Sequence, residues 1–262
     1  MHIVVCVKQV PETTEAEITI DKEEKDIDKS GLTFSINEWD NYAVEEALLL
    51  KEKFGGSVTV VTMGSEEAED TLRRCLAMGA DAAIRLTDQV LEGLDSYATA
   101  IVLYQLIKDM QFDLVLTGAQ AEDDGCGQVG GTLAQLLGIP QAALVTDIEI
   151  EDMIARVHRE LESGLEEIVE LDLPAVVTIQ TGINEPRYVS IMGIRKAASK
   201  EIKAWDWNAL GLKEEKGMLG AKTAIEKAFL PPITKSTEFL AGSPDEIATK
   251  LVSILTQKGL LG

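Results

Sequence analysis

The residues with the most chemical promise stand together in one run, Gly118-Ala119-Gln120-Ala121-Glu122-Asp123-Asp124-Gly125-Cys126-Gly127-Gln128-Val129-Gly130-Gly131-Thr132. Glycines let a backbone approach a phosphate closely. The helix that should follow offers unpaired N–H groups and the positive end of its dipole. The run comes directly after an apolar strand, Asp113-Leu-Val-Leu-Thr-Gly118. In an open parallel sheet, ligands gather outside the carboxyl ends of the strands. Spacing therefore predicts a nucleotide phosphate site, against the plainer reading of a glycine-rich helix entry without a ligand. Asp123 and Asp124 are unfavourable neighbours for a phosphate. They are expected to cap the helix or to accept hydrogen bonds from ribose hydroxyls.

Other segments should reach the same sheet edge. Val7-Lys8-Gln9-Val10 ends the first strand, and Met63-Gly64 ends the second. Asn37 to Asp40 open a helix beside them. Other chemistries lack their residues. His2 and His158, the chain's two histidines, lie in extended segments without metal-ligating spacing. There is no Gly-x-Ser-x-Gly elbow, no Walker loop and no paired acid–base constellation. Cys6 lies inside an apolar strand and reads as core rather than nucleophile. The residues offer no catalytic machinery of their own.

The elements that must position these groups alternate in type. Apolar, β-branched stretches at 2–10, 57–64, 82–86, 113–118 and 173–180 read as buried strands. Amphipathic helices should lie between them. Ser35-Ile-Asn-Glu38 reads as a capping box for the first, which should stop at Gly55-Gly56. Ser65 should cap the second, ending at Gly79, and Asp95 the third, running to about Met110. Continuous Val/Ile/Leu strands alternating with helices give an α/β class with a doubly wound, mainly parallel sheet. Residues 147–171 break the rhythm into short extended pieces. From about Ala197 the periodicity lapses, through Trp205-Asp-Trp207, Gly217, Gly220 and Pro231-Pro232. A last helix opens on Ser243-Pro-Asp-Glu246, with Ile247, Leu251, Ile254 and Leu255 as its stripe. It either packs back on its own sheet or forms an arm on another subunit.

Composition narrows the class. The 262 residues, 45% of them hydrophobic, suit one domain with an extension. Three scattered cysteines, Cys6, Cys75 and Cys126, form no CxxC pair and fit a reducing compartment. No signal-peptide pattern opens the chain and no apolar run is long enough to span a membrane, so a cytoplasmic location without membrane insertion is expected. A formal net charge of −21 argues against nucleic-acid binding, which needs lysine and arginine to neutralise phosphates. That charge serves solubility or docks a basic partner.

A set of motifs also resembles a known family. Val4-Val-Cys-Val-Lys-Gln-Val10, Tyr42-Ala-Val-Glu-Glu-Ala-Leu-Leu-Leu-Lys-Glu-Lys53, Cys75-Leu-Ala-Met-Gly-Ala-Asp81 and Asp113 to Gly131 are similar to the beta subunit of electron-transfer flavoproteins. So are Arg159 to Thr178 and Asn184-Glu-Pro-Arg-Tyr188. The match runs in order over about residues 1–200, while the last 60 or so agree only in general character.

The resemblance implies an adenine-nucleotide α-hydrolase-like fold with a C-terminal arm. Residues 1–196 would form the nucleotide-binding domain, including a docking loop at 184–200, and residues 197–262 the arm on an alpha subunit. It implies a heterodimer whose alpha subunit holds the redox FAD. The beta site would carry AMP or, in electron-bifurcating members, a second FAD. Carried over by position, the pocket is Cys6, Asn37, Glu38, Trp39, Asp40, Met63 and Gly118 through Val129. Trp39 falls where the family places an aromatic near the alpha-subunit flavin. The docking loop would use Ile191 as an apolar anchor, Tyr188 beside it, and Arg195, Lys196 and Lys200 to steer an acidic partner. Glu160 would govern the mobility of the flavin domain. The implied partners are a flavin dehydrogenase, such as an acyl-CoA dehydrogenase, and a redox acceptor oxidoreductase.

The sequence also departs from the family. Ser163 stands where Gly or an acidic residue is usual, and one extra residue precedes Pro174. Gly127 replaces an Asn common in AMP-type members, whereas the Asp-Gly-Asp order and the Gly-Pro of many bifurcating members are missing. The loop thus leans to AMP, while Val5 to Glu15 resemble bifurcating members. A competing function is a stand-alone adenine-nucleotide-binding stress or signalling module of the same fold. An ATP-pyrophosphatase ranks last, for want of a Ser-Gly-Gly-x-Asp-Ser loop.

Overall fold

The computed structural model describes residues 1–88, 91, 93–211, 220–232 and 237–261. Gly217 of the expected irregular segment lies outside these residues. The chain falls into two compact units. The first is Met1–Ile18 with Asp28–Glu226, and the second is Thr19–Ile27 with Lys227–Gly262.

The first unit is built on a nine-stranded sheet. In chain order its strands are β1 (His2–Cys6), β4 (Ser57–Met63), β5 (Ala82–Leu86), β6 (Leu114–Gly118), β7 (Gln141–Glu151), β8 (Ile154–Glu160), β9 (Glu166–Asp172), β10 (Ala175–Ile179) and β11 (Ile202–Trp205). A separate ribbon pairs β2 (Gln9–Pro11) with β3 (Phe34–Ile36). The sheet order is β11-β5-β4-β1-β6-β10-β7-β8-β9. The pairs from β11 to β7 are parallel, and β7-β8 and β8-β9 are antiparallel. Because β4 follows β1 on one side and β6 joins it on the other, the winding reverses at β1. That is the switch point where such sheets open a crevice.

The strand side chains feed two cores, one on each face. Ile3, Val5 and Val58 pack with Ala43, Ala47 and Leu48 of α1 (Glu38–Phe54) and with Leu72 and Leu76 of α2 (Glu69–Met78). Val4, Cys6 and Val61 pack with Ala98, Val102 and Leu106 of α3 (Ser96–Ile107) and with Leu133 of α4 (Val129–Leu137). Fully burying each branched aliphatic side chain contributes roughly 1.5–3 kcal/mol, so both layers hold the sheet edge in place. Leu144, at φ 58°, sits at the irregularity where β7 shifts register against its parallel partner β10, and the pairing resumes at Val145 and Ile179, the residue from which β7 also pairs with antiparallel β8 being Val145. From there β7 and β8 bury one face only, as alternation in an antiparallel extension requires.

Four local expectations need correction. The first strand stops at Cys6 rather than Val10, because the Lys8 N–H donates to the Asp40 carboxylate instead of a neighbouring strand. The capping box at 35–38 does not form. Ser35 is paired in the ribbon, Asn37 is the N-cap, and its side chain is engaged elsewhere. Ser65 precedes a 3-10 turn leading into α2 and makes no side-chain cap. Residues 202–205, expected within an irregular arm, are instead the ninth strand, paired with β5.

The second unit has its own ties. Ile20 bridges Ile27, the Ala228 N–H donates to the Glu24 carbonyl at 2.7 Å, and Lys227 pairs with Glu24 at 2.8 Å. Its helix α6 (Pro244–Gln257) carries the capping box expected from the sequence. Ser243 accepts from the Glu246 N–H, the Glu246 carboxylate accepts from the Ser243 N–H, and Pro244 stands in the first turn. No residue of α6 is buried.

Candidate functional site

Asp40, in the first turn of α1, is buried and joins two strand ends. Its Oδ1 accepts the Gly118 N–H at 2.8 Å and its Oδ2 accepts the Lys8 N–H at 2.7 Å. One carboxylate thus ties the end of β6 to the chain leaving β1. Burial pushes its pKa up to about 7, against the pull of those two N–H groups and Asn37. Gly118 has no alternative here, since a Cβ would lie 2.4 Å from Asp40 Oδ1 and 2.7 Å from Trp39 Cβ.

Asn37 does the same for the glycine-rich loop. Its Nδ2 donates to the Gln120 carbonyl at 2.8 Å and its Oδ1 accepts the Glu122 N–H at 3.1 Å. Glu122 answers by accepting the Glu38 N–H at 2.8 Å, which satisfies an open donor at the start of α1. The loop and the helix entry therefore cap one another.

Beyond the loop, α4 begins at Val129 with Gln128 as its N-cap. There is no side-chain cap bond and no acidic residue in the first turn. Gly130 lets this helix sit close on the sheet, because a Cβ there would fall 2.5 Å from Thr178 Cγ2. An uncapped helix start free of carboxylates is receptive to an anion.

A cavity of 240 Å³ opens between these parts. Cys6, Val61, Met63, Leu91, Leu94 and Leu103 give it an apolar wall, large enough in kind for an aromatic base. Asn37, Gln120, Gln128, Ser96, Thr99 and Thr117 add polar groups, and Lys8 and Asp124 stand at a partly exposed rim. The Lys8 ammonium pairs with Asp123 at 2.6 Å and Asp124 at 2.9 Å. Burial lowers the Lys8 pKa, but the two aspartates outweigh it and the net shift is upward. For Asp124 the burial penalty is outweighed by the Cys126 N–H and Lys8, and its pKa falls. Burial, with help from Asp40, pushes the Cys6 thiol up to about 12, so it is a wall and not a nucleophile.

The structure brings together on this cavity most of the residues singled out from the sequence: Cys6, Asn37, Asp40, Met63, Gly118, Ala119, Gln120, Ala121, Asp124, Gly127, Gln128 and Val129. It places six others off the lining. Glu38 and Glu122 hold each other, Asp123 holds Lys8, and Gly125 and Cys126 are exposed in the turn. Trp39 donates its Nε1–H to Gln180 Oε1 at 2.9 Å. The expected helix-capping by Asp123 and Asp124 is replaced by the ion pair with Lys8. Sequence reasoning missed the wall from Leu91 to Leu103. The signal was present: Asp95 marks a helix start after β5, on the same sheet edge, and its carboxylate does accept from the Ala98 N–H.

A second surface lies apart from the cavity. Asn184 donates to Glu46 and to the Tyr42 carbonyl. Arg187 binds buried Glu45 through two nitrogens and Glu52 through a third. These bonds fix the chain leading to α5 (Ile191–Ala198), whose start is capped by Ser190 and whose end is capped by Arg73 on the Ala197 carbonyl. So held, Tyr188 and Ile191 are 100% and 74% exposed. Met192, Ile194, Arg195 and Lys196 are exposed as well. Lys200 turns back to the Ala80 carbonyl and is no part of that outer face. Glu160, at the end of β8, accepts from Gln180 Nε2 at 3.0 Å, which links it to Trp39.

Among the described residues, no cluster of His, Cys, Asp or Glu is arranged to hold a metal ion, and no helix is long and apolar enough to cross a membrane. Comparison with known proteins gives a consistent set. A sequence model of the electron transfer flavoprotein domain matches residues 26–210. An electron transfer flavoprotein subunit beta from Bacillus subtilis (strain 168) is 44% identical over 244 residues, covering 90% of this chain and 94% of its own. Subunit CarD of a caffeyl-CoA reductase-Etf complex from Acetobacterium woodii is 40% identical over 265 residues, covering 100% of both chains. Protein FixA of Azotobacter vinelandii is 38% identical over 250 residues, covering 92% of this chain and 88% of its own.

Proposed function

Since this chain belongs to the electron-transfer flavoprotein beta-subunit family, we propose that it is the smaller half of a cytoplasmic heterodimer carrying electrons between a flavin dehydrogenase and a redox acceptor. The alpha subunit would hold the working FAD, which supplies the electron chemistry. This chain would hold an adenine nucleotide, dock the partners, and contribute no acid, base or nucleophile.

The observation that carries this reading is the cavity at the switch point of the sheet. Its apolar wall suits adenine. The open N–H groups at the start of α4 suit a phosphate, and Asn37 and Asp40 hold the loop that brings them together. We favour AMP for this cavity. The α5 face, with Ile191 at its start and Arg195 and Lys196 beside it, would dock the dehydrogenase, and Glu160 would act at the flavin side. Residues from 227 onward, with α6 bare of buried contacts, would pack on the alpha subunit.

Co-expression with the alpha subunit, followed by acid extraction and chromatography, tests the proposal. One FAD and one AMP per heterodimer are expected. Two FAD and no AMP would overturn the choice of AMP and make bifurcation with a nicotinamide donor the leading function. A chain that purifies alone with bound nucleotide and never with a flavin-bearing partner would favour the stand-alone module.

A further inference from the structure

The cavity rim has an unusual charge balance. Among the described residues that line it, Lys8 is the one cationic side chain, and Asp40 and Asp124 are the acids. Lys8 is already held by two carboxylates, Asp123 and Asp124. One ammonium against two carboxylates leaves the rim net negative. A phosphate dianion at the start of α4 would share this cavity with that excess and be repelled.

The geometry contains a way out. Lys8 is fixed at its backbone, where its N–H donates to Asp40 at 2.7 Å, while its side chain remains 41% exposed on a flexible four-carbon stem. Asp124 is fixed separately, accepting the Cys126 N–H at 2.9 Å. Exposed ion pairs are cheap to break, and an ammonium bonded to a phosphate is a strong, charge-assisted contact.

We propose that Lys8 is the phosphate-binding cation of the cavity and that Asp123 and Asp124 compete for it, so that a nucleotide enters by exchanging a carboxylate partner of Lys8 for its phosphate. The proposal deepens the nucleotide-site reading and rests on it. It also supplies a selectivity rule. Each added phosphate brings more negative charge against the freed aspartates, so a monophosphate is preferred to a triphosphate.

Calorimetric titration of the full chain, stripped of bound nucleotide, with AMP, ATP and phosphate-free adenosine tests this. Lys8→Met should weaken AMP binding roughly ten- to a hundredfold, the worth of a hydrogen bond to a charged group. It should leave adenosine unchanged, and Lys8→Arg should recover most of the loss. Asp123→Asn with Asp124→Asn should act in the opposite direction, tightening AMP and narrowing its advantage over ATP. Shifts in the same direction for the Lys8→Met and the aspartate variants would overturn the proposal and leave Lys8 a structural latch. So would an AMP affinity unmoved by Lys8→Met. If Lys8→Met fails to fold, the sign of the aspartate variants decides alone. Wild-type chain that binds adenosine but gains nothing from the phosphate of AMP defeats the proposal while sparing an adenine site. Wild-type chain that binds no adenine compound defeats both.

Discussion

Asp40 and Gly118 form the keystone contact of the candidate site: the Gly118 N–H donates to Asp40 Oδ1 at 2.8 Å, and the same carboxylate holds the Lys8 N–H. Two chain segments leaving adjacent strands are thereby set at fixed separation on either side of the cavity. Gly118→Ala puts a methyl group against Asp40 and Trp39. Overpacking of this kind costs about 1–3 kcal/mol. Denaturant unfolding should show that loss, and nucleotide content should fall with it, because the loop after Gly118 must move.

Asp40 should also give the chain a pH signature. Its folded pKa, near 7 through burial, lies above the unfolded carboxylate value. The folded state therefore holds the proton more tightly. The resulting contribution to stability is fully present below about pH 4, where the unfolded carboxyl is also protonated, and is lost as pH rises through about 7. Asp40→Asn removes this group's titration. Unfolding free energies measured from pH 4 to 8 should show the variant's deficit shrinking as pH rises. A deficit that stays constant or grows would contradict the burial account.

Arg187 and Glu45 should anchor the α5 segment. The Glu45 side chain is 4% exposed, so Arg187→Ala leaves a buried carboxylate without its charge partner, with only the residue 187 N–H still donating to it. Breaking such a pair costs roughly 3–5 kcal/mol. Arg187→Lys keeps the charge but loses the two-pronged contact, and should fall between wild type and alanine in thermal unfolding.

How far these sites were legible depends on sequence separation. The alternation of strands and helices, the loop from Gly118 to Val129 and the capped helix after Ser243 could all be read, because each is a local pattern. The Lys8 pair with Asp123 and Asp124 spans more than a hundred residues, and no spacing rule reaches across it. The break after Cys6 was hidden for a related reason. Val7 to Val10 are apolar enough to continue a strand, but Asp40 takes the Lys8 N–H. β11 escaped notice because a four-residue edge strand, with Lys203 and Ala204 exposed, carries no periodicity. For the start of α1 the local rule was present and lost, since Ser35 is paired in the ribbon and Asn37 gives its side chain to the loop instead of the helix, whereas the stop at Gly55 follows the rule.

Ile191→Ala should separate docking from folding. The side chain is 74% exposed, so thermal stability should not change. If it anchors a partner, losing roughly 1.5–3 kcal/mol of burial weakens that complex about ten- to a hundredfold. Electron transfer with the dehydrogenase, measured at several partner concentrations, should show a raised half-saturation point with flavin and nucleotide content unaltered. An unaltered half-saturation point would remove Ile191 from the docking surface.

Cutting the chain after Glu226 should spare the first unit's sheet, which is complete by Trp205, and abolish stable assembly with an alpha subunit. A cut after Ala204 should do more damage, because it removes Trp205 from β11 and the Thr87 N–H then loses its acceptor, the Trp205 carbonyl. Gel filtration with the alpha subunit and thermal unfolding of each truncated chain distinguish the two effects. A chain ending at Glu226 that still assembles normally would contradict a role for the segment from 227 in the heterodimer.

The proposed adenine nucleotide would occupy the cavity at the carboxyl ends of β1, β4 and β6. Photolabelling with 8-azido-AMP, followed by peptide mapping with mass spectrometry, locates it directly. Label on peptides carrying Met63, Leu91 to Leu103 or Gly118 to Gly130, and protected by excess AMP, is the expected result. Protected label confined to peptides outside that lining, or label that excess AMP does not displace, would contradict the account.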